Sequence, residues 1–210
     1  MHTALRATSI TLSEFLRREL VADAALAAFF DPVLGGTMVV TLNNPEEMRA
    51  NNIEGLSVWL YRVERDDQLL NAPPARPQPN RLLPTPLPLR LHYLLTPVVT
   101  IDPAFPAVSP GLEQELLGKV LQLLYQHPVL RGADLRDTLT GSEDRLTLRL
   151  EPMSLEEITR VWHALQRPYQ LSLSYEVTLA LIAPETQPSV SSPVTIAEPK
   201  YSVIVSKELP

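Results

Sequence analysis

Apolar residues near the start of the chain recur with a helical period. Leu12 opens an i, i+3, i+4, i+8 stripe, and the pattern runs to about Phe30 and stops before Pro32. Thr11 precedes the stripe, and Glu14 lies three residues after it. This is the spacing of a capping box, in which each side chain accepts a hydrogen bond from the other residue's backbone N–H. The pattern therefore predicts a helix that begins at Thr11.

Five later segments are rich in β-branched and apolar residues, mostly in alternation, which is typical of strands. They are residues 37–42, 56–63, 87–95, 146–150 and 169–181. The second segment carries apolar side chains on both faces, with Leu60 on one face and Trp59 and Val63 on the other. Both faces of this strand are therefore expected to be at least half covered.

A long apolar helix is predicted in the middle of the chain. Ser109 and Pro110 place a capping residue before a first-position proline, and the helix ends near Gln126. Its apolar side chains cover more than a third of its circumference. A helix of this kind is buried on two sides, either within its own domain or against another copy of the chain.

A third helix is predicted from a second capping box, formed by Ser154 and Glu157. The apolar side chains that this helix is expected to bury are Leu155, Ile158, Trp162 and Leu165.

The order of these elements predicts an α+β fold, in which a mixed or antiparallel sheet is covered on one face by about three helices. We expect one domain over residues 1–183, followed by an extended C-terminal tail over 184–210. Within the domain, residues 71–88 carry seven prolines, which predicts a stiff, extended loop with no helix and no ladder. The tail is also interrupted by prolines and alternates again at 200–206, which predicts a short strand.

Composition and charge narrow the class of protein. Apolar residues make up 45% and charged residues 20% of the 210 residues, as in ordinary globular domains. The net charge of −6 disfavours nucleic acid or an anionic membrane as the main partner. The longest apolar run, residues 24–30, is too short to cross a membrane, and no targeting segment is apparent. These features favour a soluble protein that folds in the cytoplasm.

Screens for catalytic and ligand-binding patterns return no candidate. The chain has no cysteine, its four histidines are not at metal-ligand spacing, and its one adjacent glycine pair lacks the lysine of a phosphate loop. We therefore predict no catalytic residue, no metal and no cofactor. An enzyme would require at least three of four polar residues to converge in a pocket: Arg90, His92, Tyr93 and Glu176.

Four segments, taken in order, resemble a known family. They are LYRVER at 60–65, PLRLHYLLTP at 88–97, LLG at 116–118 continuing to YQHPVL at 125–130, and LEPMSLEE at 150–157 continuing through ALQ at 164–166 to SYEV at 174–177. Together they resemble the N-terminal domain of the cap, or tail-terminator, proteins of extracellular contractile injection systems. These are phage-tail-like particles of the antifeeding-prophage and Photorhabdus virulence cassette type. The resemblance covers about residues 10–183.

The resemblance implies a structural protein without catalysis or cofactor. Such a protein would form a ring, expected to be a hexamer, on the distal end of the inner tube and sheath. There it would stop polymerisation, fix particle length and hold the sheath end to the tube. It would assemble in the cytoplasm and could leave the cell within the particle, with no nucleic acid bound and no direct membrane insertion.

Three sequence features fit such assembly contacts, and each has a plainer interpretation. The apolar helix could contact a neighbouring subunit, or its side chains could pack in a thick core. The stiff loop could contact the ring, or it could be a surface loop. The tail strand could add to a partner's sheet edge, or it could close the edge of its own sheet. The residues proposed to bind partners are Leu117 and Leu121, Pro77 and Pro79, and Tyr201, Val203 and Val205.

A second hypothesis gives the tail a different role. In this hypothesis the protein is an adaptor whose tail links the particle end to a membrane or to an accessory protein.

Overall fold

A six-stranded mixed sheet with helices on both faces forms the body of the protein. The structure is a computed structural model and describes residues 3–67, 81–82, 87–100, 108–182 and 189–190. The α+β class and the mixed sheet predicted from the sequence are confirmed.

The strand order in the main sheet is β1-β2-β4-β7-β6-β5. Strands β1 and β2 pair in parallel, and the other neighbours pair antiparallel. A separate antiparallel pair is formed by β3 and β8. The strands are β1 Val39–Thr41, β2 Gly55–Arg65, β3 Arg81–Leu82, β4 Leu87–Val98, β5 Val129–Arg131, β6 Arg145–Leu150, β7 Leu173–Ile182 and β8 Ser189–Val190.

The described residues form five α-helices, which are α1 Ala4–Ala22, α2 Ala27–Phe30, α3 Pro45–Ala50, α4 Val108–Gln126 and α5 Leu155–Ala164. Short 3₁₀ turns lie at Pro32–Leu34, Gly132–Asp134 and Asp137–Leu139.

The two faces of the sheet carry different helices. On one face, α1, α2 and α4 pack against the sheet and form the larger apolar core, which includes Leu16, Leu91 and Val120. On the other face, Trp162 of α5 packs with Leu94 of β4 in a smaller cluster. The expectation that the helices cover one face only is therefore wrong. Apolar side chains on both sides of β2 and β4 explain the difference, because both faces must be buried.

Helix α1 begins earlier than the capping pattern predicts. It starts at Ala4, so Thr11 lies inside the helix, where it is buried and its hydroxyl accepts a hydrogen bond from the backbone N–H of Arg136. The buried residues of the helix before Thr11 are small, namely Ala4, Ala7, Thr8 and Ser9. The hydroxyls of Thr8 and Ser9 donate to carbonyls one turn earlier. Their polar groups are thereby satisfied inside a helix, which is why this polar segment can be buried. The predicted helix also ends sooner, at Ala22, and α2 is separate.

A capping box that the sequence analysis did not use starts α3. Asn44 accepts from the backbone N–H of Glu47, and the Glu47 carboxylate accepts from the N–H of Asn44. Pro45 occupies the first turn, where its missing N–H costs nothing. The helix has only six residues, too few to show a periodic apolar pattern.

Helix α5 confirms the capping box of Ser154 and Glu157. Two of its predicted core residues, Ile158 and Trp162, are buried, and Leu165 is partly buried against them. Leu155 is 68% exposed, so its predicted burial is wrong. It is the first residue of the helix and lies at the exposed end of the apolar stripe.

A β-bulge in β2 changes the face on which Val63 lies. The register with β4 shifts between Leu60 and Arg62, and Val63 then pairs with Leu91, which belongs to the larger core. Strict alternation had placed Val63 with Trp59 on the opposite face. One extra residue in a strand reverses the parity of all residues that follow it.

Three other predictions from the sequence differ from the structure. The proline-rich stretch does form a ladder, because Arg81 and Leu82 pair with Val190 and Ser189. These residues lie in the longest proline-free run between Pro73 and Pro88, where backbone N–H donors remain.

The last long strand starts at Leu173 rather than at 169, and residues 169 and 171 are exposed. Helix α4 ends at Gln126 as predicted, but it includes Ser109, whose hydroxyl donates to the Thr100 carbonyl instead of capping.

Gly55 should tolerate no side chain, because β1 approaches β2 there. Its φ is +133°, and an added Cβ would lie 2.0 Å from the Val39 carbonyl oxygen. We predict that Gly55→Ala lowers the free energy of unfolding by about 2 kcal/mol or more. Gly118, inside α4 with open space around it, is the matched control, and Gly118→Ala should raise stability by up to about 1 kcal/mol. Urea denaturation of both variants measures this, and equal stabilities would contradict the close approach.

Candidate assembly interface

Helix α4 presents only part of its apolar surface to the outside. Leu117 is 3% exposed and therefore packs within its own chain. Leu121 is partly buried, packs against the larger core and borders a groove. Of the two α4 residues predicted to bind a partner, the structure thus brings only Leu121 to an accessible surface.

The groove lies between the C-terminal half of α4 and strands β6 and β7 and has a volume of about 720 Å³. Its side chains include Leu121 and Tyr125 from α4, Leu150 from β6 and Tyr175 from β7. Tyr125 is 86% exposed and Leu150 is 48% exposed. We call this set the α4–β6 groove. Large apolar side chains exposed together in one concave surface are typical of a contact for another protein.

Sequence reasoning did not select Tyr125 or Leu150. Leu150 continues the apolar alternation of β6, so the pattern predicts that it is buried like Leu146 and Leu148. Its exposure follows from the short neighbour β5, which pairs only with residues 145–147 of β6. The short length of β5 could not be predicted from the sequence.

The remaining residues predicted to bind partners fall outside the described residues. They are Pro77 and Pro79 in the proline-rich loop and Tyr201, Val203 and Val205 in the tail.

The four polar residues that an enzyme would bring together do not converge. Tyr93 points into the larger core, where its hydroxyl lies 2.8 Å from the Ser9 hydroxyl and burial raises its pKa. Arg90 and Glu176 approach to 3.9 Å, and the closest carboxylate to Arg90 is Asp66, at 2.9 Å. His92 pairs with two other carboxylates.

A buried polar network surrounds His92 on the face that carries α5. Its Nδ1 lies 3.1 Å from Oε2 of Glu151, and its Nε2 lies 3.3 Å from Oε2 of Glu64. The same Glu151 oxygen accepts hydrogen bonds from the hydroxyls of Ser174, at 2.6 Å, and Tyr61, at 3.3 Å. Burial by itself would raise the pKa of Glu151, but the bonds from Ser174, His92 and Tyr61 outweigh it and hold that pKa below its usual range. The network joins β2, β4 and β7 to Glu151, the residue that follows β6.

This arrangement is not that of an activated nucleophile. In a serine nucleophile the histidine must accept the hydroxyl proton, and the carboxylate orients the histidine from its far side. Here the Ser174 hydroxyl donates to Glu151 itself, and the side chain of His92 is only 3% exposed. The hydrogen bonds of this network therefore tie neighbouring strands together.

The described part of the chain contains neither a membrane-spanning helix nor a cluster of metal-ligating side chains. No helix there combines the length and apolar character needed to cross a membrane. The same residues bring no group of three or more histidine, aspartate or glutamate side chains into an arrangement that could hold a metal ion.

The lowered pKa of Glu151 predicts a loss of stability in acid. A folded-state pKa below the unfolded value stabilises the protein above the unfolded pKa, and this contribution disappears as the pH falls through the folded pKa. Glu151→Gln should therefore lower the unfolding free energy at pH 7 by about 1 kcal/mol, a modest value because the carboxylate is partly solvated. The difference from the wild type should shrink towards pH 3.

Urea denaturation at several pH values measures this difference. The control is Glu156→Gln, which removes an exposed carboxylate paired with Arg160 and should change little at any pH. A difference between wild type and Glu151→Gln that stays constant from pH 7 to pH 3 would contradict the assignment.

The chain is similar to known proteins in sequence and in fold. A family model described as the Pvc16 N-terminal domain matches residues 7–196. The chain is similar to the cryo-EM structure of the anti-feeding prophage cap, the AFP tube terminating cap, with 19% identity, a TM-score of 0.53, and coverage of 90% of this chain and 60% of that chain. No protein of curated function matches.

A second similar structure is the PVC sheath/tube terminator of an extracellular contractile injection system, in its extended state. It has 21% identity and a TM-score of 0.45, and the match covers 72% of this chain and 52% of that chain. The chain thus spans between half and two thirds of the length of the two solved structures. At 19% identity, the similarity to the anti-feeding prophage cap shows a shared fold.

Proposed function

The chain belongs to the Pvc16 N-terminal domain family, and from this premise we propose that it is a structural cap that ends the inner tube and sheath of a contractile injection particle. The family match spans residues 7–196 and is the observation that carries the proposal. It also confirms the resemblance indicated by the four sequence segments.

The shared fold supports the same role. The anti-feeding prophage cap, whose fold this chain shares, is described as a tube terminating cap. In our proposal this chain stops polymerisation and fixes particle length through protein contacts, without catalysis and without a cofactor. It assembles in the cytoplasm with tube and sheath proteins and leaves the cell, if at all, as part of the particle.

A cap on a tube must contact its own neighbours in a ring, and we propose the α4–β6 groove as a subunit contact. The groove exposes an aromatic and an aliphatic side chain, Tyr125 and Leu150, beside the partly buried Leu121. Partly desolvated aromatic and aliphatic groups in a concave surface provide the central contacts of many protein interfaces. The ring is proposed to be a hexamer, with Pro77 and Pro79 of the stiff loop as additional contacts.

Charge substitution in the groove tests this contact. Tyr125→Asp and Leu150→Asp should fold normally, because both side chains are exposed in the single chain. A buried charge at the contact should lower incorporation into particles at least tenfold. Incorporation is measured by purifying particles formed with each variant and quantifying the protein at their ends by immunogold labelling.

Leu155→Asp is the matched control. Leu155 is also an exposed leucine, at 68%, but it lies on α5 at the opposite face of the sheet. Incorporation of Leu155→Asp should equal that of the wild type. Normal incorporation of both groove variants would show that the groove is not a subunit contact. Labelling along the whole particle, or none at its ends, would contradict the cap itself.

A further inference from the structure

In the part of the chain that the structure describes, strand β2 has an edge without a partner strand over most of its length. One side of the strand pairs with β4 from Gly55 to Arg65. The other side pairs with β1 only at residues 55–57. Within the described residues, no strand pairs with Val58–Arg65 on that side. An edge of eight residues has unpaired backbone N–H and C=O groups and is a template for another strand.

The side chains along this edge of β2 lie alternately on the two faces of the sheet. After the bulge, Val63 follows Val58 and Leu60 on the face of the larger core, and it is 45% exposed. The opposite face carries Trp59 and Tyr61, which pack with the smaller cluster. A strand with apolar residues on one face and small or mixed residues on the other would cover Val63 and extend the sheet.

The sequence of the tail predicts such a strand. Tyr201, Val203 and Val205 alternate with Ser202 and Ser206, and Ile204 lies between the serines. The segment has seven residues, close to the length of the open edge. Its more apolar side would lie beside Val63, and its serine side would lie beside Tyr61.

The course of the chain places the start of the tail near this edge. Strand β7 ends at Ile182, which pairs with Leu87 at the start of β4. Two residues further along β4, Leu89 pairs with Arg65 at the end of β2. The tail therefore leaves the sheet at the same end at which the open edge ends, two strands away. A strand added outside β2 would lie three strand spacings from β7, about 15 Å. The chain first forms β8 at Ser189–Val190, which pairs with β3, and the nine residues from 191 to 199 can then span roughly 30 Å.

We propose that residues 200–206 pair with Val58–Arg65 of the same chain and close this edge of the sheet. Entry at the Arg65 end makes the added strand antiparallel to β2. A tethered strand has an effective concentration in the millimolar range, which favours the edge of its own chain over that of another copy. This pairing is independent of the cap function, because it concerns the free chain.

Disulfide cross-linking in the full-length chain tests the pairing. The chain has no native cysteine, so each double variant contains one possible disulfide. Val63→Cys is combined in turn with a cysteine substitution at each position from Tyr201 to Val205. Laterally paired residues in a sheet have Cα atoms about 4.5–5.5 Å apart, within disulfide range. We expect high yields of disulfide within a monomer at 201, 203 or 205, and yields at least fivefold lower at 202 and 204.

Val129→Cys, combined with the same tail substitutions, is the matched control. Val129 is a partly exposed valine on β5, at the opposite edge of the main sheet. It should cross-link poorly to every tail position. Equal yields with Val63→Cys and Val129→Cys, yields without dependence on parity, or disulfides only between two copies would each overturn the proposal.

Hydrogen exchange of the unmodified chain provides a second readout. Those backbone amides of residues 58–65 that point away from β4 should exchange at least tenfold faster in Val203→Asp than in the wild type, while the amides bonded between β2 and β4 keep their protection. Val194→Asp, a tail valine outside the proposed strand, should leave exchange unchanged. An identical exchange rate in Val203→Asp and wild type would show that the bulge and the charged residues of β2 protect this edge without the tail.

Discussion

The burial of β4 on both faces is the constraint on which the rest of the structure depends. Strand β4 pairs with β2 and β7 along most of its length, and its side chains from 91 to 98 are buried. The face that carries Leu91 and Leu95 joins the larger core, so α1 and α4 must cover it. The other face carries His92 and Leu94, so a second set of helices is needed. A polar residue in this position also requires partners, and Glu151 and Glu64 provide them.

The two faces of the main sheet are therefore stabilised by different interactions. One face is closed by a polar network, and the other leaves part of its apolar surface exposed. On the face that carries α5, a hydrogen-bonded network ties β2, β4 and β7 to Glu151 and leaves no accessible reactive group at His92. On the opposite face, the C-terminal half of α4 borders the exposed α4–β6 groove. A short edge strand also leaves most of β2 without a partner on one side within the described residues, because β1 pairs only with the first residues of β2. The groove and the open edge are thus products of strand length.

The sequence predicted those elements whose signals are local and periodic. The capping box of Ser154 and the alternation of β4 and β6 were sufficient to place α5 and these strands. The start of α1 could not be predicted in the same way, since Thr8, Ser9 and Thr11 are buried through hydrogen bonds that depend on the helix and its neighbours. The bulge at Tyr61 changes the face on which the following residues of β2 lie, and no pattern in the sequence indicates it. The position of α5 on the second face depends on the packing of Trp162 against Leu94, which the sequence does not reveal. Of the predicted partner residues in the described chain, Leu121 lies at the groove, whereas Leu117 is a core residue.

The described part of the chain has a closed apolar core and exposes apolar surface in the α4–β6 groove, where a neighbouring subunit could bind. The central claim is the proposal that this protein ends the assembly of a contractile particle. The most direct test is the length distribution of particles, measured by electron microscopy, in the presence and absence of the protein. The account predicts over-long, ragged or end-frayed particles without it and restoration of uniform length when it is supplied. Particles of normal length with intact ends in its absence would contradict the cap and favour an adaptor that acts after assembly.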